Sequence, residues 1–156
     1  MNIYLVQHGT AVEKSINPDR PLSADGIDEV NRVAALVASA GIAPTRILHS
    51  GKLRSEETAA LFSKHLPAAG PPEATKGIAP TDPVEDFARR IGAWNHDVLV
   101  CGHQPFMGRL VAYLLGLDPS TPTVEYVPGS IAGLSRDDSG SWQLFWFIRP
   151  EVCSGG

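Results

Sequence analysis

Tyr4-Leu5-Val6-Gln7-His8-Gly9-Thr10 is an apolar run that ends on a histidine, with a glycine directly behind it. Asn2 to Gln7 is rich in strand formers and reads as a short buried strand. Gly9 then supplies a turn. A reactive side chain at the carboxyl end of a first strand is where an open α/β sheet gathers its chemistry. His8 is therefore the candidate functional group, and the rest of the chain is read for what it brings to it.

Beyond Gly9, Thr10 to Leu22 is polar and carries Pro18 and Pro21, which makes it a loop. Ser23 has the chemistry of an N-cap, and Ile27, Val30, Val33, Ala34, Val37 and Ala40 follow at helical spacing until Gly41. Arg46 to His49 is a second short strand, and a helix runs from about Lys52 to Leu66 with Leu53, Ala60 and Phe62 among its apolar positions. Pro67 to Pro72 is a linker, and Glu73 to Lys76 a brief edge strand. Pro83 opens a helix that runs to about Gly92. Asp97-Val98-Leu99-Val100-Cys101 is the clearest buried strand, and Gly102-His103-Gln104 is a tight turn. Pro105 opens a helix whose apolar face is Phe106, Met107, Leu110, Val111, Leu114 and Leu115, closed by Gly116. Ser130 to Ser135 and Trp142 to Ile148 are strands joined by the hairpin chemistry of Asp137-Asp138-Ser139-Gly140. Alternating strands and helices imply parallel strands with helices on both faces; the late hairpin adds an antiparallel edge strand. The expected fold class is a three-layer α/β/α domain with a mostly parallel mixed sheet.

The 156 residues suit a single domain spanning 1–156, with 150–156 as a flexible tail. Hydrophobic residues make up 43% and charged residues 19%, the balance of a globular chain. A net charge of −4 argues against general nucleic-acid binding, which needs clustered Lys and Arg. The two cysteines, Cys101 and Cys153, form neither a disulfide framework nor a CxxC pair. Reduced thiols, no basic-then-apolar leader and no membrane-length apolar run lead to the expectation of a cytoplasmic protein. No carboxylate or histidine cluster has metal-ligand spacing, so no cofactor and no metal are expected. With no coiled coil in the pattern, a monomer is the expectation.

Three strand ends carry polar groups: His8 after the first strand, His49 to Arg54 after the second, and His103 after the fourth. In a doubly wound sheet such ends converge on one crevice. A neutral imidazole can attack phosphorus, a fixed guanidinium can hold two phosphate oxygens, and a second histidine can donate to the transferring oxygens. Against this stand plainer readings. His8 and His103 taken singly could be strand-end histidines bonded to backbone, and Arg54 could be a helix-surface ion-pair partner of Glu56 or Glu57. Cys101 is not a phosphatase nucleophile, because the arginine needed six positions later is Met107. His49, His65 and His96 read as structural or exposed, and Lys52 as solvated.

Gln7-His8-Gly9-Thr10-Ala11, Arg20-Pro21-Leu22-Ser23, Ser50-Gly51-Lys52-Leu53-Arg54-Ser55-Glu56-Glu57-Thr58 and Gly102-His103-Gln104-Pro105 occur in that order. Together they resemble the histidine phosphatase superfamily, the phosphoglycerate-mutase-like fold, and most of all its small SixA-type phosphohistidine phosphatase branch. The resemblance implies that His8 accepts the phosphoryl group as a transient phosphohistidine, that Arg54 clamps the phosphate, and that His103 stabilises the transition state. Gln7, Gly9 and Arg20 would bind substrate, Arg20 either touching phosphate or anchoring its loop. The family usually has arginine where this chain has Gln7, an amide that donates without charge. Larger members carry an acid that protonates an alcohol leaving group; here Asp82 and Glu85 are the only candidates. The implied substrate is a phosphorylated protein, such as a phosphotransfer domain, or a small phosphorylated molecule. The implied chemistry is metal-independent hydrolysis, with a non-catalytic phosphate-binding module as the alternative that Gln7 motivates.

Overall fold

The computed structural model describes residues 1–153. Six strands form one sheet in the order β3-β2-β4-β1-β5-β6. They are β1 (Asn2–Gln7), β2 (Arg46–His49), β3 (Glu73–Ala74), β4 (Val98–Gly102), β5 (Ile131–Arg136) and β6 (Trp142–Ile148). The helices are α1 (Ala24–Ser39), α2 (Leu53–His65), α3 (Val84–Gly92) and α4 (Phe106–Leu114). The alternation of side chains along β1 explains why helices cover both faces. Ile3 and Leu5 point into a core built with α3 and α4, while Tyr4 and Val6 point into one built with α1 and α2.

β2, β3, β4 and β1 are mutually parallel, and the hairpin lies at the edge of the sheet as expected. Of its two strands it is β5, one in from the edge, that runs against its neighbours on both sides. β6 carries an irregularity: Gly133 faces Trp146 and Leu134 faces Leu144, which leaves Phe145 without an opposite residue. The bulge flips the face presented by the strand. Trp142 and Leu144 pack against the α3–α4 core, Trp146 and Ile148 against the other. Phe145 itself is 45% exposed, so it is not the core residue its apolarity suggests.

The chain from Pro150 departs from the flexible tail expected of it. Pro150–Val152 form a 3-10 turn, Pro150 and Cys153 are buried, and Arg32 of α1 donates to the carbonyls of both at 3.0 and 3.2 Å. Those two hydrogen bonds and the burial of Pro150 offset the ordering entropy of the segment. Ser154 to Gly156 lie outside the described residues. Among the described residues no helix is long and apolar enough to cross a membrane.

The apolar positions of α2 also differ from the sequence reading. Leu53 and Ala60 face solvent, and the buried face is Ser55, Thr58, Ala59 and Phe62. Likewise Ile27 of α1 is 41% exposed. The polar half of the α2 face is spent on the site described next.

Candidate functional site

α1 leaves β1 toward one face of the sheet and α4 leaves β4 toward the other, which opens a crevice at the carboxyl ends of these adjacent strands. The parallel register pairs Gln7 with Gly102, so His8 and His103, the next residue on each strand, stand side by side. Their ring centroids are 5.1 Å apart. β2 flanks β4 with His49 opposite Cys101, which brings the Ser50–Arg54 segment to the same crevice. Three strand ends therefore converge, as their sequence positions imply.

His8 is fixed by the backbone behind it. Its Nδ1 lies 2.7 Å from the Gly9 carbonyl oxygen. A carbonyl only accepts, so the proton sits on Nδ1 and the lone pair on Nε2. Gly9 N–H donates to Thr58 Oγ1 at 3.1 Å, and Thr58 Oγ1 donates to the Arg54 carbonyl at 2.7 Å. Both polar groups of Gly9 are thus engaged within the protein, its carbonyl against His8 and its amide against Thr58.

Burial pushes the pKa of His8 down to about 4, with Arg54 and Arg20 adding to the shift. His103 is driven down to about 3 by burial, then by His8, Arg54, Lys52 and Arg20. Both imidazoles are neutral at pH 7. Arg54 is held below its ordinary range by burial and by Arg20. Among the described residues Arg54 and Arg20 form no salt bridge, and Arg54 Nε is buried without a partner. Glu57, the ion-pair partner that helical spacing offers to Arg54, instead accepts from Leu22 N–H at 2.8 Å. A cluster of unpaired cations around neutral, buried histidines is built for an anion.

Arg20 reaches this cluster from the loop before α1. It is the one non-glycine residue at positive φ (49°) among the described residues. Its Nε donates to the Val12 carbonyl at 3.2 Å. Arg20 therefore anchors its loop, and its charge still bears on His8, His103 and Arg54.

Gln7 ends β1 with its backbone tied to Ser130 and Gly129. Its Oε1 is buried and has no hydrogen-bond partner. Exchanging it for arginine adds a cation to a cluster that already repels itself. Gln7→Arg is expected to melt at a lower temperature than the parent protein in phosphate-free buffer. It should also gain more in Tm when phosphate is added, because the ligand cancels the added repulsion. Differential scanning fluorimetry with and without phosphate measures both.

The two candidate acids are engaged as follows. Asp82 Oδ2 accepts from the Ala79 amide at 2.8 Å and closes a turn ahead of α3. Glu85 lines a separate cleft with Arg89, Tyr113 and Trp142. No carboxylate contributes to the pKa shifts of either crevice histidine. Among the described residues no group of His, Cys, Asp and Glu could hold a metal ion.

No known family profile matches the chain. Phosphohistidine phosphatase SixA of Escherichia coli strain K12 is 26% identical over 155 residues, covering 96% of this chain and 94% of SixA. The solved structure of the protein histidine phosphatase SixA complexed with tungstate superposes with a TM-score of 0.85 at 26% identity, covering 96% and 97% of the two chains. This chain is a homologue of SixA. The SixA homologue shares its fold more widely: a phosphoglycerate mutase from Plasmodium falciparum matches at a TM-score of 0.69 and 22% identity, over 94% of this chain and 89% of the other. The expected phosphoglycerate-mutase-like α/β fold is thus present.

Sequence reasoning passed over Ser50, Ser55 and Thr58 of the SixA homologue. Ser55 is fully buried, accepts from Ser50 N–H at 3.1 Å and donates to the Cys101 carbonyl at 2.7 Å, bolting the start of α2 to β4. The available signal was a pair of hydroxyl residues three apart on the inner face of a helix, where apolar residues are the norm.

Proposed function

We propose that this protein is a metal-independent phosphatase that removes phosphate from phosphohistidine on a protein, through a covalent phosphohistidine on His8. The observation that carries the reading is a neutral imidazole with its Nε2 lone pair free, shifted by two arginines without a salt bridge and by no carboxylate. In the first step His8 Nε2 attacks phosphorus and the P–N bond to the substrate imidazole breaks. The bond's electron pair leaves with that imidazole, whose other nitrogen already carries a proton. In the second step water attacks phosphorus, the bond to His8 Nε2 breaks, and inorganic phosphate departs. Arg54 and Arg20 neutralise the phosphoryl oxygens, and His103 donates to them in the transition state. No carboxylate is among the groups that shift His8 or His103, which favours a P–N over a P–O substrate. A phosphoimidazole protonated on its second nitrogen leaves as neutral imidazole with no acid from the enzyme, whereas an alkoxide needs a proton.

Rapid-quench labelling with a 32P-phosphohistidine protein tests the reading. Label is expected on the wild type and none on His8→Ala. Turnover of the phosphohistidine protein should exceed that of an alkyl phosphate by at least about 100- to 10,000-fold, the usual contribution of a general acid. Phosphate binding with neither label nor turnover would make the protein a binding module instead, the reading that Gln7 favours.

A further inference from the structure

His103 is 2% exposed and holds one ring nitrogen against a serine: Ser50 Oγ lies 2.6 Å from His103 Nε2. The other nitrogen, Nδ1, is buried and has no partner. Such an imidazole has two neutral tautomers, and they differ in what they offer the crevice. A proton on Nε2 leaves Nδ1 as a bare lone pair, which repels a phosphoryl oxygen. A proton on Nδ1 makes the unpartnered nitrogen a donor. Ser50 decides between them. Its Oγ accepts from the Lys52 amide at 3.4 Å, which occupies one lone pair and leaves the hydroxyl hydrogen free to point at His103. Ser50 is itself held by its own amide, which donates to Ser55 Oγ, and Ser55 is tied to the β4 carbonyl directly before Gly102. Ser50 is thus held by a chain of bonds that begins on β4, the strand His103 directly follows.

We propose that Ser50 is a positioning residue. Its hydroxyl donates to His103 Nε2, fixes His103 as the Nδ1–H tautomer, and so presents a donor to the oxygens of a transferring phosphoryl group. This rests on the phosphatase reading for its use, and on the hydrogen bonds alone for the tautomer. Ser50 touches no reacting atom. Its contribution falls on the transition state, where charge on those oxygens changes most, and hardly on ground-state binding.

The test compares Ser50→Ala and Ser50→Thr with the wild type in two ways. In nitrogen-15 NMR of the ligand-free protein at pH 7, His103 is expected as Nδ1–H in the wild type and in Ser50→Thr. In Ser50→Ala it should shift to a mixture or to Nε2–H. In steady-state kinetics on a phosphohistidine protein, Ser50→Ala should lose about 10- to 100-fold in kcat with little change in KM, the size seen when a histidine's orienting partner is removed. Ser50→Thr should restore most of it. Nδ1–H retained in Ser50→Ala, or undiminished kcat, overturns the proposal. So does a loss equal in Ser50→Thr and Ser50→Ala, which marks a packing role. A wild type without turnover defeats the phosphatase reading only, because the NMR comparison still decides the tautomer.

Discussion

Arg54→Met is expected to reduce kcat/KM on a phosphohistidine protein by about 100- to 1,000-fold while leaving the fold intact. The magnitude is that of removing one preorganised donor from a site where transition-state charge develops. The fold survives because Arg54 is bound to nothing that holds it together. Its Nε is unpartnered, and the Arg20 charge repels it. Tm in phosphate-free buffer should therefore hold or rise, the sign expected when a residue serves function at the expense of stability. A second readout separates this from a packing effect. Burial is the first cause of the low pKa of His8, and Arg54 is a lesser one. Without Arg54 the NMR titration of His8 should move up from about 4 yet stay below its ordinary 6.5. The linkage has a definite sign. Below pH 6.5 the unfolded chain takes up a proton at each of these histidines, while the folded chain does so only near pH 4 and 3. Wild-type stability therefore falls as pH drops through that window, and Arg54→Met should lose less of it. A variant that melts far lower, or whose His8 titration does not move, would place Arg54 elsewhere than beside the nucleophile.

The parts of the molecule that read clearly in the sequence are those where one physical cause acts alone. β1 and β4 are continuous apolar runs because both of their faces are covered, and their ends fall at His8 and His103 because glycine turns follow or precede. Register then does the rest: once β1 and β4 are parallel neighbours, the histidines must meet. The obscure parts are those where two causes compete. On α2 the helix period predicts an apolar inner face, yet Ser55 and Thr58 occupy it because backbone groups of β4 and Gly9 need partners there. On β6 the alternation is broken at Phe145 by a bulge that no local residue announces. The ordered 150–153 segment depends on Arg32, more than a hundred residues away in the chain. Gln7 is of a different kind: the sequence marks it as unusual, and the structure gives it an unpaired oxygen without diminishing the cationic cluster beyond it.

Gly26→Ala tests how tightly the first strand end is held from behind. Gly26 is buried in the first turn of α1, where its amide donates to the Ser23 cap at 3.0 Å. A methyl group there would lie 2.0 Å from the Thr10 carbonyl oxygen and 2.9 Å from the Thr10 nitrogen. Both are backbone atoms, so no rotamer change relieves the overlap. Thr10 is also bound to Ser23, through the Ser23 amide and hydroxyl at 2.9 and 3.1 Å. The strain must therefore move the Gly9–Thr10 backbone or break the helix cap. Either displaces the Gly9 carbonyl that holds the proton of His8 on Nδ1. Overpacking of this kind costs about 1–3 kcal/mol, which lowers Tm by roughly 2–12 °C in a chain of this size. The effect on turnover should be larger, about 100-fold, because a shift near 1 Å at a nucleophile forfeits alignment. Gly92→Ala is the matched control: nothing lies within 4 Å of a methyl group at the end of α3, so stability should hold or improve and turnover should not change. Thermal melts and kinetics on both variants decide the matter. Equal, small effects on both would mean that the β1 end and α1 can part without cost, and that His8 is held by something other than the Thr10–Gly26 contact.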